Sequence, residues 1–481
     1  MSSAAIAKII SSDPGLPREN PTAAYWQKDP HPLSSAQSAS LPLTTDIAVI
    51  GSGITGASVT KTLLEQHDSC TVTVLEARTL CSGATGRNGG QLAINAAQIY
   101  VKLKETVGAE MAGKIVQFNI KTLRRLREVA AEIDAVEYAE LTDVVKLRCY
   151  KDGASFEHVK RGIGELEADH PDFKGIYDIL APDRCQREHG VFGVVGGVLH
   201  PGGTIWPYRL VTRLFEVLAK KFPSRLAIET GTPVAAVSFD PTTDEKYPYT
   251  LSTPRGEIRA RHVAYCTNGY TGHLLPSLRG PLYPLKGTMT VQDMGAGYQN
   301  RANSTSWAVH YEPHNDVKDD TFADGLIYGM QNVKTGTMFF GGEKSGVADM
   351  LSANDTVLSS SSVTYLKDSV LSLFGHDGEN DARTSSIVSA WSGIMCFSSD
   401  GMPLVGRLPA SITDREGGGE WICAAYCGYG MPSAWLAGES LGQMILGRPP
   451  QDILPEAYLI TQERLESRMS TKQSVERLSQ D

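Results

Sequence analysis

The glycine string Gly51–Gly56 is the stretch whose residue types and spacing most clearly suit chemistry. It reads GSGITG and directly follows the apolar run Ile47–Ile50. In a strand, turn and helix of this kind, the first glycine permits the turn, the second lets the backbone approach a pyrophosphate, and the third lets the helix pack on the sheet. Unpaired N–H groups at the start of the helix, together with the helix dipole, attract phosphate. This glycine turn therefore predicts a dinucleotide site.

Glu76 supports this interpretation, because it lies twenty residues beyond Gly56 at the end of a second predicted strand, TVTVLEA. A carboxylate at that position can accept a hydrogen bond from a ribose 2′-OH and disfavours a 2′-phosphate. The alternative is that the glycines serve packing alone, and the flanking strand, helix and carboxylate favour the dinucleotide site over it. The residues of this unit predicted to bind the cofactor are Gly51, Gly53, Ile54, Thr55, Gly56, Glu76, Ala77 and Arg78.

A second glycine block, Gly83–Gln91 with the sequence GATGRNGGQ, indicates which dinucleotide is bound. It places Arg87 and Asn88 before two glycines, where the chain would double back toward the pyrophosphate. This arrangement resembles the FAD-dependent amine oxidases of the D-amino acid oxidase, sarcosine oxidase and gamma-glutamylputrescine oxidase superfamily. The alternative is a surface loop rich in turn formers. The resemblance implies FAD contacts at Ser82, Thr85, Arg87, Asn88, Gly89, Gly90 and Gln91.

Two later blocks extend the resemblance, which then spans about residues 45 to 450. Residues 390–409 carry a W-x-G and D-G-x-P-x-x-G pattern, and residues 421–447 carry G-x-G-M before a predicted helix. A helix N-terminus aimed at reduced flavin would stabilise its negative charge by roughly 1 kcal/mol. Some relatives attach FAD covalently through a late cysteine, and Cys396 lies near that position. The further FAD contacts implied are Val234, Asn268, Gly269, Cys396, Gly428, Gly430 and Met431.

The resemblance also implies an α/β fold, in which a Rossmann-like FAD-binding domain is interleaved with an α+β substrate domain on a mixed β-sheet. The predicted FAD-binding domain is discontinuous and comprises residues 43–100, 196–280 and 380–450. The predicted substrate domain comprises residues 101–195 and 281–379. Residues 1–42 are predicted as an N-terminal arm whose Tyr25 and Trp26 dock on the main body, and residues 451–481 as a helical tail. Local patterns predict a hairpin over residues 193–207 and one strand over residues 226–240.

The sequence has no second G-x-G-x-x-G string for NAD(P)H. This fits a flavin that is reduced by the substrate itself and reoxidised by O2 or another acceptor. Hydride transfer from the carbon beside a neutral amine would give an imine, with hydrogen peroxide if O2 is the acceptor. Lys286 is the candidate for raising reactivity toward O2, with a solvated surface lysine as the alternative, and Gln91 is expected to approach the isoalloxazine ring. No motif assigns an arginine to a substrate carboxylate, which favours amines over amino acids.

Three functions stay open at this point. The first is an FAD-dependent amine or amino-acid oxidase, and the second is a dehydrogenase of the same fold that passes electrons to another acceptor. The third is a non-catalytic FAD-binding interaction protein. Peroxide formation separates the first two, and failure of every amine to bleach the flavin would favour the third.

Composition limits the possible partners and location. The chain has 481 residues, 41% of them apolar and 21% charged, and a formal net charge of −9. This balance is typical of a globular protein and argues against nucleic acid or an anionic membrane as a partner. No apolar run reaches about 18 residues, so no membrane span and a cytoplasmic location are expected. The eight cysteines are scattered rather than framed for disulfides, and Cys423 and Cys427 lack a second ligand pair, so no metal site is expected.

Overall fold

The structure is a computed structural model, and it describes residues 1–295, 298–316, 321–323, 325–375 and 385–480. The helices, numbered in chain order, are α1 (Ser3–Ile10), α2 (Ile54–Gln66), α3 (Ala96–Glu132), α4 (Gly153–Asp169), α5 (Pro182–His189), α6 (Pro207–Lys221), α7 (Thr271–Leu274), α8 (Val347–Met350), α9 (Ser360–Phe374), α10 (Ala410–Thr413), α11 (Ala434–Ile445), α12 (Gln462–Arg468) and α13 (Thr471–Gln480). The strands are β1 (Thr44–Ile50), β2 (Val72–Leu75), β3 (Gln91–Leu92), β4 (Thr142–Tyr150), β5 (Asp178–Leu180), β6 (Gly196–Thr204), β7 (Leu226–Glu229), β8 (Ala236–Phe239), β9 (Tyr249–Thr253), β10 (Gly256–Tyr265), β11 (Leu282–Asp293), β12 (Thr305–His310), β13 (His314–Asp316), β14 (Thr321–Ala323), β15 (Leu326–Gln331), β16 (Met338–Gly342), β17 (Lys344–Gly346), β18 (Ser386–Ser398), β19 (Leu404–Arg407) and β20 (Glu420–Ala424).

The first sheet forms around β1, whose last four residues are apolar and buried. Such a continuous apolar run is what a parallel strand covered on both faces needs. β1 pairs in parallel with β2 and β10, and the strand order is β19-β20-β10-β1-β2-β7, with β8 and β9 as an antiparallel extension of β10. The carboxyl ends of β1, β2 and β10 therefore meet at one edge, which is where ligands bind in sheets of this kind.

The second sheet is mixed and has the order β18-β11-β16-β15-β12-β4-β6-β3, with β5 paired to β6. Most neighbouring strands within this sheet are antiparallel, but β12 and β4 are parallel. One face packs on α9 through a cluster of buried apolar side chains that includes Trp307, Phe340 and Leu366. The other face is turned toward the first sheet and lines the cavity described below. A small sheet of β13, β14 and β17 completes the strands.

This arrangement confirms the predicted fold class of a Rossmann-like parallel sheet joined to a mixed sheet. The predicted domain ranges stay a prediction. Strands β6 and β18, which lie within the ranges predicted for FAD binding, pair within the second sheet.

Two local predictions were wrong. The predicted hairpin over residues 193–207 is instead the single strand β6, which pairs along its whole length with β4. The predicted strand over residues 226–240 is divided into β7 and β8. The break has a physical cause, because Gly231 has a φ of +55° and Pro233 has no N–H to donate to a ladder.

The N-terminal arm docks on the main body through Trp26, as predicted. The indole is 1% exposed and stacks on Phe339, with ring centroids 4.4 Å apart. Its Nε1–H donates to the carbonyl of Asn88 at 2.5 Å, and its own carbonyl accepts from the Trp206 indole at 2.7 Å. The arm therefore supports the second glycine block directly.

Among the described residues, no helix has both the length and the apolar character that crossing a membrane requires.

Replacing Trp26 by alanine is expected to lower the free energy of unfolding by about 3–5 kcal/mol, because a buried aromatic ring and its hydrogen bond are lost. The variant should also bind FAD more weakly, since the Asn88 carbonyl loses its donor. Urea unfolding with and without added FAD measures both effects. The matched control is Leu43→Ala, because the Leu43 side chain is 80% exposed. An unfolding midpoint for Trp26→Ala equal to that of Leu43→Ala would contradict the docking role.

Candidate active site

The glycine turn leaves no room for side chains at two of its three glycines. Gly51 has a φ of +106°, and a Cβ there would lie 2.6 Å from the Cys266 carbonyl oxygen. A Cβ at Gly56 would lie 2.0 Å from the Gly51 oxygen. Gly53 is the N-cap of α2, and the Ile54 N–H beside it donates to Thr85 Oγ1 at 2.9 Å. The turn is thus a bare backbone cradle at a helix N-terminus, which fits the pyrophosphate of FAD.

Glu76 is held beside the turn at the carboxyl end of β2. Its carboxylate accepts hydrogen bonds from the Ser52 N–H at 3.1 Å, from the Ser52 hydroxyl at 2.6 Å and from the Arg78 N–H at 3.0 Å. The Ser52 oxygen in turn accepts from the Cys81 N–H at 2.8 Å. Because a carboxylate has about four acceptor sites, these contacts leave capacity for a ribose hydroxyl. Its predicted contact with FAD stays a prediction.

The second glycine block joins the two sheets. Asn88 Oδ1 accepts from the Gly90 N–H at 2.8 Å, which fixes the loop. A Cβ at Gly89 would lie 2.5 Å from the Tyr328 ring on β15. Gly90 has a φ of +66°, and a Cβ there would lie 2.6 Å from the Ile205 oxygen. Glycine is therefore required at both positions for the loop to approach the second sheet.

Arg87 uses its donors to tie this block to other parts of the chain. Its Nε–H donates to the Ser392 carbonyl at 2.8 Å, and its Nη2 donates to the carbonyl and hydroxyl of Thr22 in the arm. Asp355 Oδ2 lies 3.7 Å from Arg87 Nε and 2.9 Å from Arg78 Nη1. Burial, only partly offset by Asp355, lowers the pKa of Arg87 to about 10. These contacts hold the block in place, while contact of Arg87 with FAD stays a prediction.

A cavity of about 1000 Å³ runs from the glycine turn to the second sheet. Ligand sites for drug-sized molecules reach about this volume. The predicted site residues that line it are Gly51, Gly53, Ile54, Thr55, Glu76, Ala77, Arg78, Thr85, Arg87, Asn88, Gly89, Gln91, Val234, Asn268, Gly269, Cys396, Gly428, Gly430 and Met431. The predicted site residues that do not line it are Gly56, Ser82, Gly90 and Lys286.

The turn between β20 and α11 closes the cavity next to α2. Tyr426 Oη lies 2.8 Å from Thr55 Oγ1, so this turn is joined to the first turn of α2. Asn268 Oδ1 accepts from the Ala425 N–H at 3.3 Å, which joins the same turn to the end of β10. The three segments predicted to surround the flavin are therefore linked by side-chain hydrogen bonds.

Lys286 on β11 does not line the cavity, although the neighbouring Leu285, Gly287 and Thr288 do. Its Nζ lies 2.5 Å from Asp349 Oδ1, and the side chain is fully buried. The structure thus does not bring Lys286 together with the other predicted site residues.

Gln91 does face the cavity, and it leads to a group that the sequence interpretation missed. Its Oε1 accepts from the buried Lys146 Nζ, whereas its buried Nε2 has no hydrogen-bond partner. We call Lys146, Arg148, His200 and His310 the basic cluster. Lys146, Arg148 and His310 line the cavity. The alternating charged residues in the stretch VVKLRCY could have signalled that one face of β4 is polar.

The basic cluster is held by neutral acceptors. Arg148 Nε–H donates to His200 Nε2 at 3.0 Å, and His200 Nδ1 donates to the Pro201 carbonyl at 2.8 Å. His200 is therefore the neutral tautomer, and burial next to Arg148 lowers its pKa to about 3. Burial likewise lowers the pKa of His310 to about 3 and holds the pKa of Lys146 well below its usual value. Above about pH 4 both histidines of the cluster are therefore neutral.

Among the residues that the structure covers, no group of three or more His, Cys, Asp or Glu side chains could hold a metal ion.

Gly51→Val is expected to abolish FAD binding for two reasons. The side chain would clash with the Cys266 carbonyl, and valine disfavours the positive φ that Gly51 adopts. The ratio of flavin absorbance to protein absorbance after purification measures the loss. Gly153→Ala is the matched control, since a Cβ at Gly153 meets no atom within 4 Å. Full flavin content in folded Gly51→Val protein would refute the assignment of the glycine turn.

Comparison with known proteins agrees with this geometry. The chain is similar to gamma-glutamylputrescine oxidoreductase of Escherichia coli (strain K12), with 23% identity over 438 residues and 89% of each chain covered. Its fold is similar to that of glycine oxidase from Geobacillus kaustophilus, with a TM-score of 0.65 and 18% identity over 87% of this chain and 99% of that one. It is also similar to L-proline dehydrogenase from P. horikoshii, with a TM-score of 0.62 and 19% identity over 89% of this chain and 99% of that one.

The family comparison covers most of the chain. Residues 46–444 match the DAO family, which is described as FAD dependent oxidoreductase. The match includes the glycine turn, the second glycine block, β4 and the turn before α11. The protein therefore belongs to the DAO family of FAD dependent oxidoreductases, which confirms the resemblance and the FAD cofactor predicted from the sequence.

Proposed function

We propose that this enzyme oxidises the C–N bond of an amine or amino acid to an imine, with O2 as the electron acceptor and hydrogen peroxide as the second product. The observation that carries the proposal is the single cavity that begins at the glycine turn and ends at the basic cluster. A nucleotide held at the turn and a small substrate held near the second sheet would share one enclosure. Bound FAD would supply the acceptor for a hydride from the carbon beside the amine.

The residues at the glycine turn would hold FAD by its polar groups. The pyrophosphate would bind N–H groups at the start of α2 other than those of Ser52 and Ile54, which already donate to Glu76 and Thr85. Glu76 would accept a hydrogen bond from the ribose. The turn at Gly428 and Gly430 would present backbone N–H groups to the flavin ring, as its position in the cavity wall allows.

The second sheet would orient the substrate and exclude water. Tyr328 and Met289 contribute apolar surface to the cavity, and Met289 is almost fully buried. The positive charge of Arg148 disfavours a second positive charge nearby, and a bound ammonium would therefore have a lowered pKa. Since hydride transfer needs a neutral amine, the cluster would favour the reactive form of the substrate.

Family membership makes the protein an enzyme, so the non-catalytic alternative is set aside. The acceptor separates the two remaining functions. Related sequences and folds include both an oxidase and a dehydrogenase, and those names do not decide the acceptor for this chain.

Anaerobic mixing of the FAD-loaded protein with a panel of primary amines, secondary amines and amino acids should bleach the flavin with one class of compound. Admission of air should then restore the absorbance and release one hydrogen peroxide for each flavin reoxidised. A stopped-flow absorbance record and a peroxidase-coupled assay measure the two steps. Bleaching without peroxide would indicate a dehydrogenase and not an oxidase. If no compound bleaches the flavin, C–N oxidation is contradicted.

Acid precipitation should leave the yellow colour in the supernatant, because FAD is expected to be held without a covalent bond to Cys396. Burial raises the pKa of the Cys396 thiol well above its usual value, which disfavours the thiolate that would attack a flavin. Cys396→Ser should retain FAD to the same extent as the unchanged protein. A yellow pellet that turns colourless in Cys396→Ser would establish the covalent bond instead.

A further inference from the structure

The N-terminal arm forms part of the cavity wall. Ile6 of α1 and, further along the arm, Leu16 and Pro17 line the same cavity as the glycine turn. The match to the DAO family covers residues 46–444, so these three side chains lie outside it. The arm therefore adds a wall to the cavity from beyond the family match.

Residues 13–18 connect the two sides of the sheet edge where the nucleotide is expected. Asp13 Oδ1 lies 3.1 Å from Nδ1 of His273, in the helix α7 that follows β10. Five residues later, the Arg18 carbonyl accepts from Nη1 of Arg78 at 3.3 Å, and Arg78 follows β2. Strand β1, which leads into the glycine turn, lies between β10 and β2. The segment is thus attached on both sides of the glycine turn.

The length of this segment fits such a crossing. Five residues span at most about 17 Å when they are extended. β10 and β2 are each one strand spacing from β1, so they lie about 10 Å apart. The segment can therefore pass over the glycine turn, and Leu16 and Pro17 line the cavity there. A dinucleotide bound at the turn would lie beneath it.

The two attachment points of this part of the arm differ in strength. Thr22 is firmly held, because its N–H donates to the Asp355 carbonyl at 2.8 Å and its Oγ1 accepts from the Ser392 N–H at 2.9 Å. The Asp13 side chain is instead 41% exposed, and its Oδ2 lies 2.8 Å from Arg279 Nη2. Exposed ion pairs contribute little to stability. The chain before Thr22 can therefore detach while Thr22 stays in place.

Helix α1 is also held by few contacts. It buries two isoleucines in an apolar cluster that includes Val475 of α13. Ser11 Oγ, at the end of α1, lies 3.5 Å from Thr471 Oγ1 at the start of α13. Helix α13 itself is attached to the connection between β10 and β11, because Ser474 Oγ donates to the Gly280 carbonyl at 2.7 Å. Detachment of α1 from α13 would thus open this side of the cavity.

We propose that residues 1–21 form a strap that opens to admit FAD and then closes over it, with the ion pair of Asp13 and Arg279 as its latch. The strap sets the rates at which FAD enters and leaves, because it must open for both. The proposal uses FAD binding in the cavity and does not depend on the reaction that the flavin carries out. It involves no covalent step.

The charge of Asp13 makes the latch sensitive to salt. Burial acts to raise the pKa of Asp13, but the Gly15 N–H, His273 and Arg279 together lower it below its usual value. Asp13 is therefore ionised at neutral pH. Its attraction to Arg279 should weaken as salt is added, because both groups are partly exposed to solvent.

A reversible cross-link tests the strap directly. Ser11→Cys combined with Thr471→Cys replaces two hydroxyls that lie 3.5 Å apart, so oxidation can join the strap to α13 by a disulfide. The oxidised, FAD-loaded protein should release FAD about tenfold or more slowly than the same protein after treatment with dithiothreitol. Apoprotein oxidised before FAD is added should take it up more slowly by a similar factor. Flavin fluorescence records both rates, and each single variant is a matched control that cannot form the cross-link.

Asp13→Asn tests the latch. At low salt it should speed FAD uptake and FAD release alike, by about threefold, since the strap opens more often but the closed state is unchanged. The difference from the unchanged protein should disappear at about 0.5 M NaCl, where screening weakens the ion pair in both. The matched control is Asp29→Asn, which removes an exposed carboxylate of the arm outside the strap and should change neither rate.

The proposal is overturned if the cross-linked protein takes up and releases FAD as fast as the reduced protein. It is also overturned if Asp13→Asn speeds release alone, because Asp13 would then contribute to FAD affinity and not to opening. If the disulfide does not form, equal rates for Asp13→Asn and Asp29→Asn overturn it. These measurements use no substrate, so failure to oxidise any amine would count against the proposed function and leave this result intact.

Discussion

The close approach of the Gly51 backbone to the Cys266 carbonyl is the constraint on which the rest of the site depends. A side chain cannot fit between the ends of β1 and β10, and Gly56 in the first turn of α2 packs against the Gly51 carbonyl oxygen. These contacts align three carboxyl strand ends with a helix N-terminus. The nucleotide end of the cavity follows from this local geometry, and Glu76 completes it through Ser52.

The end of the cavity at the second sheet, where the proposed substrate would bind, depends on contacts between distant parts of the chain. The second glycine block lies against Tyr328 and Ile205, which belong to the region of the second sheet. Trp26 of the arm and the guanidinium of Arg87 hold the block in that position. Gln91, at the end of this block, is thereby fixed next to Lys146 on β4. This contact links the nucleotide-binding unit to the mixed sheet, and both side chains line the same cavity.

The parts that the sequence could predict are those encoded over short distances. The glycine turn and the position of Glu76 at the end of β2 each follow from a few neighbouring residues. Short-range patterns could not show that the Lys286 side chain pairs with Asp349 and does not line the cavity, because the phase of a strand relative to a cavity depends on the whole sheet. The role of Lys286 in the reaction stays a prediction. Lys146 is separated from Gln91 by 55 residues and reaches it only through the pairing of β3 and β4 with β6. The hairpin expected over residues 193–207 was wrong for the same reason, because the pairing of β6 with the distant β4 makes this segment one strand.

The central claim is that one cavity holds FAD at the glycine turn and the substrate at the second sheet. A crystal structure of the FAD-loaded protein, soaked with an amine that bleaches the flavin, tests it most directly. The pyrophosphate is expected over Gly51–Gly53, the flavin ring between the second glycine block and the second sheet, and the amine between the flavin ring and the second sheet. A nucleotide bound elsewhere, or a flavin ring outside the cavity, would contradict the account.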